Sequence, residues 1–79
     1  MKENKKVYLL TIDDTKYGPS YEIYATDALA EKRLEYLIRK YYAEKADAKE
    51  SEIKEAVEEG VWDDGNNTLT IECMDVITE

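Results

Sequence analysis

The chain has no histidine and no phenylalanine, and its 79 residues include only one cysteine, one proline and three glycines. Without histidine, the usual base that activates a serine or cysteine nucleophile is missing, as is the commonest zinc ligand. Walker loops and glycine-rich dinucleotide fingerprints are absent too. The expectation is a protein that is not an enzyme and that uses no cofactor and no metal. Cys73 has no second cysteine to pair with, so a reducing cytoplasm is its natural compartment. Long apolar runs are also lacking: after Lys2, Lys5 and Lys6 comes only Val7–Ile12, too short for a signal-peptide core or a membrane span.

What is present is enough for one small core. Hydrophobic residues make up 43% of the chain, which argues against disorder and for a single domain over 1–79, with residues 1–5 expected to fray. Seven tyrosines and one tryptophan supply the aromatics, and such residues suit half-buried or interfacial positions. Charge is distributed unevenly. From Glu44 to Glu79 there are 12 acidic side chains against three lysines, whereas Met1 to Ala43 carries seven acidic and eight basic residues. A one-sided excess on so short a chain projects a negative field from one surface, and such a field steers association with a basic partner.

Val7–Ile12 is β-branched and aromatic, apolar on both parities, and reads as a strand covered on both sides or centrally placed. Asp13 to Pro19 has the vocabulary of a turn. Ser20–Ala25 then alternates, with Tyr21, Ile23 and Ala25 on one face and Glu22 and Tyr24 on the other, so the two runs form an antiparallel hairpin. Thr26 is a good N-cap for a helix whose buried stripe is Ala30, Leu34, Leu37, Ile38 and Tyr41, with Tyr42 off to its side. A break is expected near Lys45 to Asp47, because a continuous helix to Glu59 would be about 50 Å long. Asp47 with Glu50 resembles a capping box, and Gly60 marks the stop of a second helix over Ala48–Glu59. Asp63–Asn67 reads as a turn and Thr68–Ile77 as a last strand, with Leu69, Ile71 and Cys73 on its core side. The fold expected is α+β in the order ββααβ, a three-stranded, mostly antiparallel sheet with two helices. The pattern does not say whether the last strand lies beside the first or the second.

The second helix carries the most informative side chains. Ile53, Ala56 and Val57 share its apolar arc, and Glu52, Glu55, Glu58 and Glu59 take the opposite one without a basic residue among them. Their like-charge neighbours cost roughly 0.2–0.5 kcal/mol each, and Glu58 and Glu59 sit where the helix dipole disfavours anions. A solvated acidic surface helix is the plain explanation. The sharper one is that Glu52, Glu55, Glu58 and Glu59, with Asp63 and Asp64, form a binding face for a lysine- and arginine-rich protein. Carboxylates there would take the places of nucleic-acid phosphates. Direct nucleic-acid binding is disfavoured, because phosphate contacts need cations.

Other candidates read as structure. Lys32, Arg33, Tyr36, Arg39 and Lys40 interleave cations with an aromatic, yet Glu35 lies within reach of Arg39 and helix salt pairing explains them. Asp63–Asn67 lacks the alternating oxygens and terminal glutamate of a calcium loop. Tyr17, Tyr24 and Tyr36 are expected to be exposed and to serve as secondary protein contacts.

Val7–Asp13, Lys16-Tyr17-Gly18 and Ser20–Thr26, followed by the aromatic pair Tyr41-Tyr42, resemble the opening of small acidic proteins carried by phages and mobile elements. Anti-CRISPR proteins are among these. The resemblance covers residues 7–42 and implies an inhibitor inside a bacterial host cell that occupies a Cas surveillance complex. The alternative is a small adaptor or homodimer that uses exposed tyrosines and a strand edge.

Overall fold

The computed structural model describes residues 3–78. In order it contains β1 (Glu3–Asp14), β2 (Gly18–Tyr24), α1 (Asp27–Leu37), a π-helical turn (Ile38–Tyr42), α2 (Glu50–Glu59), β3 (Val61–Asp63) and β4 (Asn67–Thr78). The strands form one antiparallel sheet in the order β2-β1-β4-β3. The last strand thus lies beside the first, and the α+β class is the expected one. The sheet has a fourth strand because the short β3 follows directly from the α2 stop. Its three residues are too few for an alternation to register, but they bury Trp62 between exposed Val61 and Asp63.

The core lies between the helices and one sheet face. Leu10 and Ile12 of β1 stand opposite Ile71 and Leu69 of β4, and Leu34, Leu37, Ile38, Ile53 and Trp62 close over them. Thr26 caps α1 as expected, its Oγ1 accepting from Leu29 N at 3.2 Å. Gly60 ends α2 with φ 74°, the left-handed geometry that glycine adopts without steric cost.

Several expectations need correcting. β1 begins at Glu3, and residues 3–5 are paired with β4 where loose chain is expected, while residues 1–2 lie outside the described ones. β2 turns its faces the other way: Glu22 and Tyr24 point toward the helices, leaving Tyr21 and Ile23 63% and 68% exposed. The hairpin register sets this facing, pairing Glu22 with the core residue Leu10 and Ile23 with Leu9. Glu22 is satisfied there: its carboxylate accepts from Arg33 of α1 at 3.0 and 3.3 Å and from the Tyr24 hydroxyl. Cys73 shares its parity with Leu69 and Ile71 but is exposed, because the core ends at Ile71.

The end of α1 reverses the two tyrosines. Ala43 N donates to Ile38 O at 2.7 Å, an i→i+5 bond, so the turn holds one residue more than an α-helix would. The stripe therefore passes from Leu37 and Ile38 to Tyr42, which is buried, while Tyr41 is 49% exposed. A testable consequence is that deleting Lys40 restores α-periodicity with Tyr42 still facing inward. The expected change in stability is within about 1 kcal/mol, whereas deleting Lys32 from regular α1 displaces the stripe and should destabilise far more. Urea unfolding monitored by circular dichroism compares the two.

The chain breaks where expected, with Asp47 at φ 52°. That left-handed residue cannot be an N-cap, which needs extended backbone. Lys49 takes the position instead, and Glu52 Oε1 accepts from Lys49 N at 3.3 Å.

The molecule measures 50 × 26 × 16 Å, with a radius of gyration of 13.8 Å. A compact chain of this length would give about 12 Å. The excess comes from the twelve-residue strands β1 and β4, which are paired along their whole length and run past the core.

Candidate functional site

The acidic face is set by three local features. α2 exposes Glu52, Glu55, Glu58 and Glu59 because Ile53 and Ala56 are drawn into the core. Gly60 then reverses the chain into β3, which brings Asp63 back alongside α2. The tight β3–β4 hairpin adds Asp64 and Asn66. As a result Glu52, Glu55, Glu59, Asp63 and Asp64 line one open depression, whose floor includes Ala56 and Trp62 and whose basic residue is Lys45. Among the described residues, the ion pairs engage Glu22, Glu35 and Glu50 and none of these acids.

The six acids are not equivalent. Glu55 and Glu59 have no side-chain partner among the described residues. Glu52 also caps it, through Lys49 N. Asp63 accepts from Gly65 N at 2.9 Å. Asp64 is half-buried and occupied: it accepts from Asn66 N at 2.8 Å, Asn67 N at 2.7 Å and Trp62 Nε1 at 3.2 Å. Burial opposes its ionisation, but these donors prevail and hold its carboxyl below the usual range. Asp64 builds the hairpin, its carboxylate turned to the turn's own donors.

Glu58 projects from the other flank of α2, into a groove shared with Glu31, Glu35, Lys54 and Val57. There Glu31 is held above the usual carboxylate range, first by burial and then by the charges of Asp27 and Glu58. The acidic surface therefore wraps over α2 and reaches α1. Sequence reading missed Asp27 and Glu31 as members of it, although their i, i+4 spacing was the available signal.

Arg33 of α1 and Arg39 and Lys40 of the π-turn are engaged within the fold. Arg39 places Nε 2.9 Å from Glu35 and its two terminal nitrogens 2.6 and 2.8 Å from Glu50, a fork that ties the π-turn to the start of α2. Arg33 is held by Glu22. Lys40 donates to the Tyr36 hydroxyl at 2.8 Å and, with Arg33, lies over the Tyr36 ring. Of the three tyrosines expected as contacts, Tyr17 is 80% and Tyr36 46% exposed, whereas Tyr24 is half-buried by its bond to Glu22.

The buried end of the π-turn is a polar anchor. The Tyr42 hydroxyl donates to Asp14 Oδ2 at 3.0 Å, and Asp14 also accepts from Lys16 N at 2.7 Å. Burial, reinforced by the Asp14 carboxylate, pushes the Tyr42 hydroxyl from 10.0 up to about 12. The folded chain then keeps a proton that the unfolded chain releases, so this contribution to stability is complete below pH 10 and falls as pH rises toward 12. In an ultraviolet titration the last phenolate to form should be that of Tyr42, and Tyr42→Phe should abolish the late step.

The arrangement offers charge and contact area. No group of acidic or cysteine side chains among the described residues is arranged to hold a metal ion, and no helix there is long and apolar enough to cross a membrane. Compared with family models, with curated proteins and with solved structures, the chain has no match.

Proposed function

We propose that this protein is a binding inhibitor whose acidic flank docks on the basic, nucleic-acid-binding surface of another protein. In its specific form it is an anti-CRISPR-like protein of phage origin that acts in the bacterial cytoplasm. A Cas surveillance complex is the target, and occupancy of its DNA channel is the mechanism. The observation that carries the proposal is the gathering of Glu52, Glu55, Glu59 and Asp63 about one depression, with Glu58 and Glu31 continuing the surface and no ion pair neutralising the first four among the described residues. Carboxylates spaced along a helix present a row of anions to lysines and arginines that otherwise hold phosphates, and complementary charge gives such docking its speed and selectivity.

The local cost of the cluster supports the same reading. Glu58 and Glu59 stand at the C-terminal end of α2, where anions are disfavoured by about 0.3–1 kcal/mol each. A sequence optimised for folding alone would place lysine or arginine there, and departures from local rules concentrate at functional sites.

Competition tests the proposal. A guide-loaded Cas surveillance complex is incubated with the protein and then challenged with labelled target DNA. The expected result is loss of DNA binding, relieved by excess DNA. Undisturbed DNA binding at saturating protein would refute the Cas assignment, and inhibition that excess DNA cannot relieve would refute competition for a phosphate site.

A further inference from the structure

On the reading that this protein binds a basic partner, on which this inference rests, we propose that the partner supplies an extended, lysine- or arginine-bearing segment that pairs with the open edge of β4. β3 covers β4 only at Thr68, Leu69 and Thr70. The last bond on that side runs from Ile71 N to Gly60 O, at 2.8 Å. Along a strand, successive residues aim their N–H and C=O groups at opposite neighbours. Ile71 aims toward the β3 side, so Cys73, Asp75 and Ile77 aim the same way, and no strand stands there among the described residues. Their N–H and C=O groups form a template that an extended chain completes. The other edges are blunted. β2 carries Pro19, β3 is three residues long, and the stretch of β1 that β2 leaves uncovered carries Lys5 and Lys6. Proline, shortness and lysine all discourage strand addition. β4 from Glu72 to Thr78 has none of them.

Charge selects the occupant. Glu72 is exposed beside this edge on the uncovered face of the sheet, and the residue opposite it on β1 is Leu9. On the helix side the Tyr8 hydroxyl, opposite Cys73, is held above its usual range, first by Cys73, then by burial and by Asp27. Asp27 in turn neighbours Glu31, whose groove holds Glu58. Gly60 is both the stop of α2 and the partner of Ile71, so Glu58 and Glu59 stand where the open stretch begins. Asp75 has Lys6 across from it. Among the described residues no ion pair engages Glu72, Asp27, Glu31, Glu58 or Glu59. Acids thus flank the edge on both faces. A second copy pairing edge to edge would bring Glu72 and Asp75 of one chain beside those of the other, whereas a basic segment is attracted by the same charges.

Nuclear magnetic resonance of the isotope-labelled full chain provides the test. The probe is a peptide of about nine residues that alternates lysine and threonine, added to about millimolar concentration. The amides of Cys73, Asp75 and Ile77 should shift. The same peptide methylated on every backbone nitrogen keeps its charge and should bind at least about tenfold more weakly. Asp75→Pro removes an N–H that faces the edge and leaves the bonds to β1 in place, so it should weaken binding about tenfold. Asp75→Asn, which removes the charge alone, should weaken it less, and Glu72→Lys should weaken it through repulsion. Unmoved amides at Cys73, Asp75 and Ile77 would overturn the proposal, as would equal binding of the methylated peptide, a result that needs no variant to fold. Shifts confined to Glu52, Glu55 and Glu59 would overturn it too, while leaving the acidic flank as the docking surface. Competition against DNA judges the inhibitor reading separately.

Discussion

Replacing Glu55, Glu58 and Glu59 together with lysine is expected to lower affinity for the basic partner at least about a hundredfold while making the protein harder to melt. The two effects share a cause. Lysine at 55 turns its repulsion with Glu52 into an attraction, for roughly 0.2–0.5 kcal/mol, while its pairs with 58 and 59 remain like-charged and contribute no gain. Lysines at 58 and 59 complement the C-terminal end of α2 for about 0.3–1 kcal/mol each. Lysine at 58 also faces Glu31, which now shares its groove with a carboxylate. A gain of about 1 kcal/mol raises the melting temperature by roughly 4–8 °C in a domain of this size. Glu52 is left in place because it caps α2 through Lys49 N. Titration calorimetry and a thermal melt on the same preparation read both effects. A variant that gains stability and still binds as before would reduce the acids to ordinary surface residues.

Trp62→Ala should be the most damaging single core substitution, costing about 3–5 kcal/mol. Trp62 is 6% exposed and stands on the short β3, opposite Leu69 of β4. Its Nε1 donates to Asp64, whose carboxylate also organises the hairpin amides. Truncation therefore opens a cavity under α2 and frees one donor from the β3–β4 turn. Small domains hold only a few kcal/mol in reserve, so much of the population should unfold near body temperature. Trp62→Phe, which keeps most of the volume and loses only the indole donor, should cost far less. Equal losses for the two would mean that the hydrogen bond, not the packing, dominates. Because Trp62 also lines the acidic depression, binding by Trp62→Phe should be nearly intact.

Where the sequence could be read and where it could not follows from the length over which each signal accumulates. The α1 stripe repeats over several turns, and its cap Thr26 and the stop Gly60 act alone, so these were legible. β3 contributes three residues, too few for any period, and it was missed. The Tyr41–Tyr42 reversal depends on one i→i+5 bond, which a constant 3.6-residue step excludes from the outset. The facing of β2 follows from its register on β1, and the partner that satisfies Glu22 on the core side, Arg33, lies eleven residues on, where strand alternation alone is blind to it. Within the candidate site, the α2 glutamates were legible from the helical wheel and Asp63 from its nearness in sequence. The inward role of Asp64 was not, because it depends on how the hairpin closes around one carboxylate.

In the proposed function, opposed charge, more than apolar contact, holds the partner. The dependence of the association constant on salt measures this directly, because exposed charges are screened over about 8–10 Å at physiological ionic strength while apolar contacts are nearly indifferent to it. If a Cas surveillance complex is the target, affinity for it should fall steeply and linearly on logarithmic axes as salt rises, with a shallower slope for the variant reversed at Glu55, Glu58 and Glu59. An affinity that holds constant from low to high salt would contradict it.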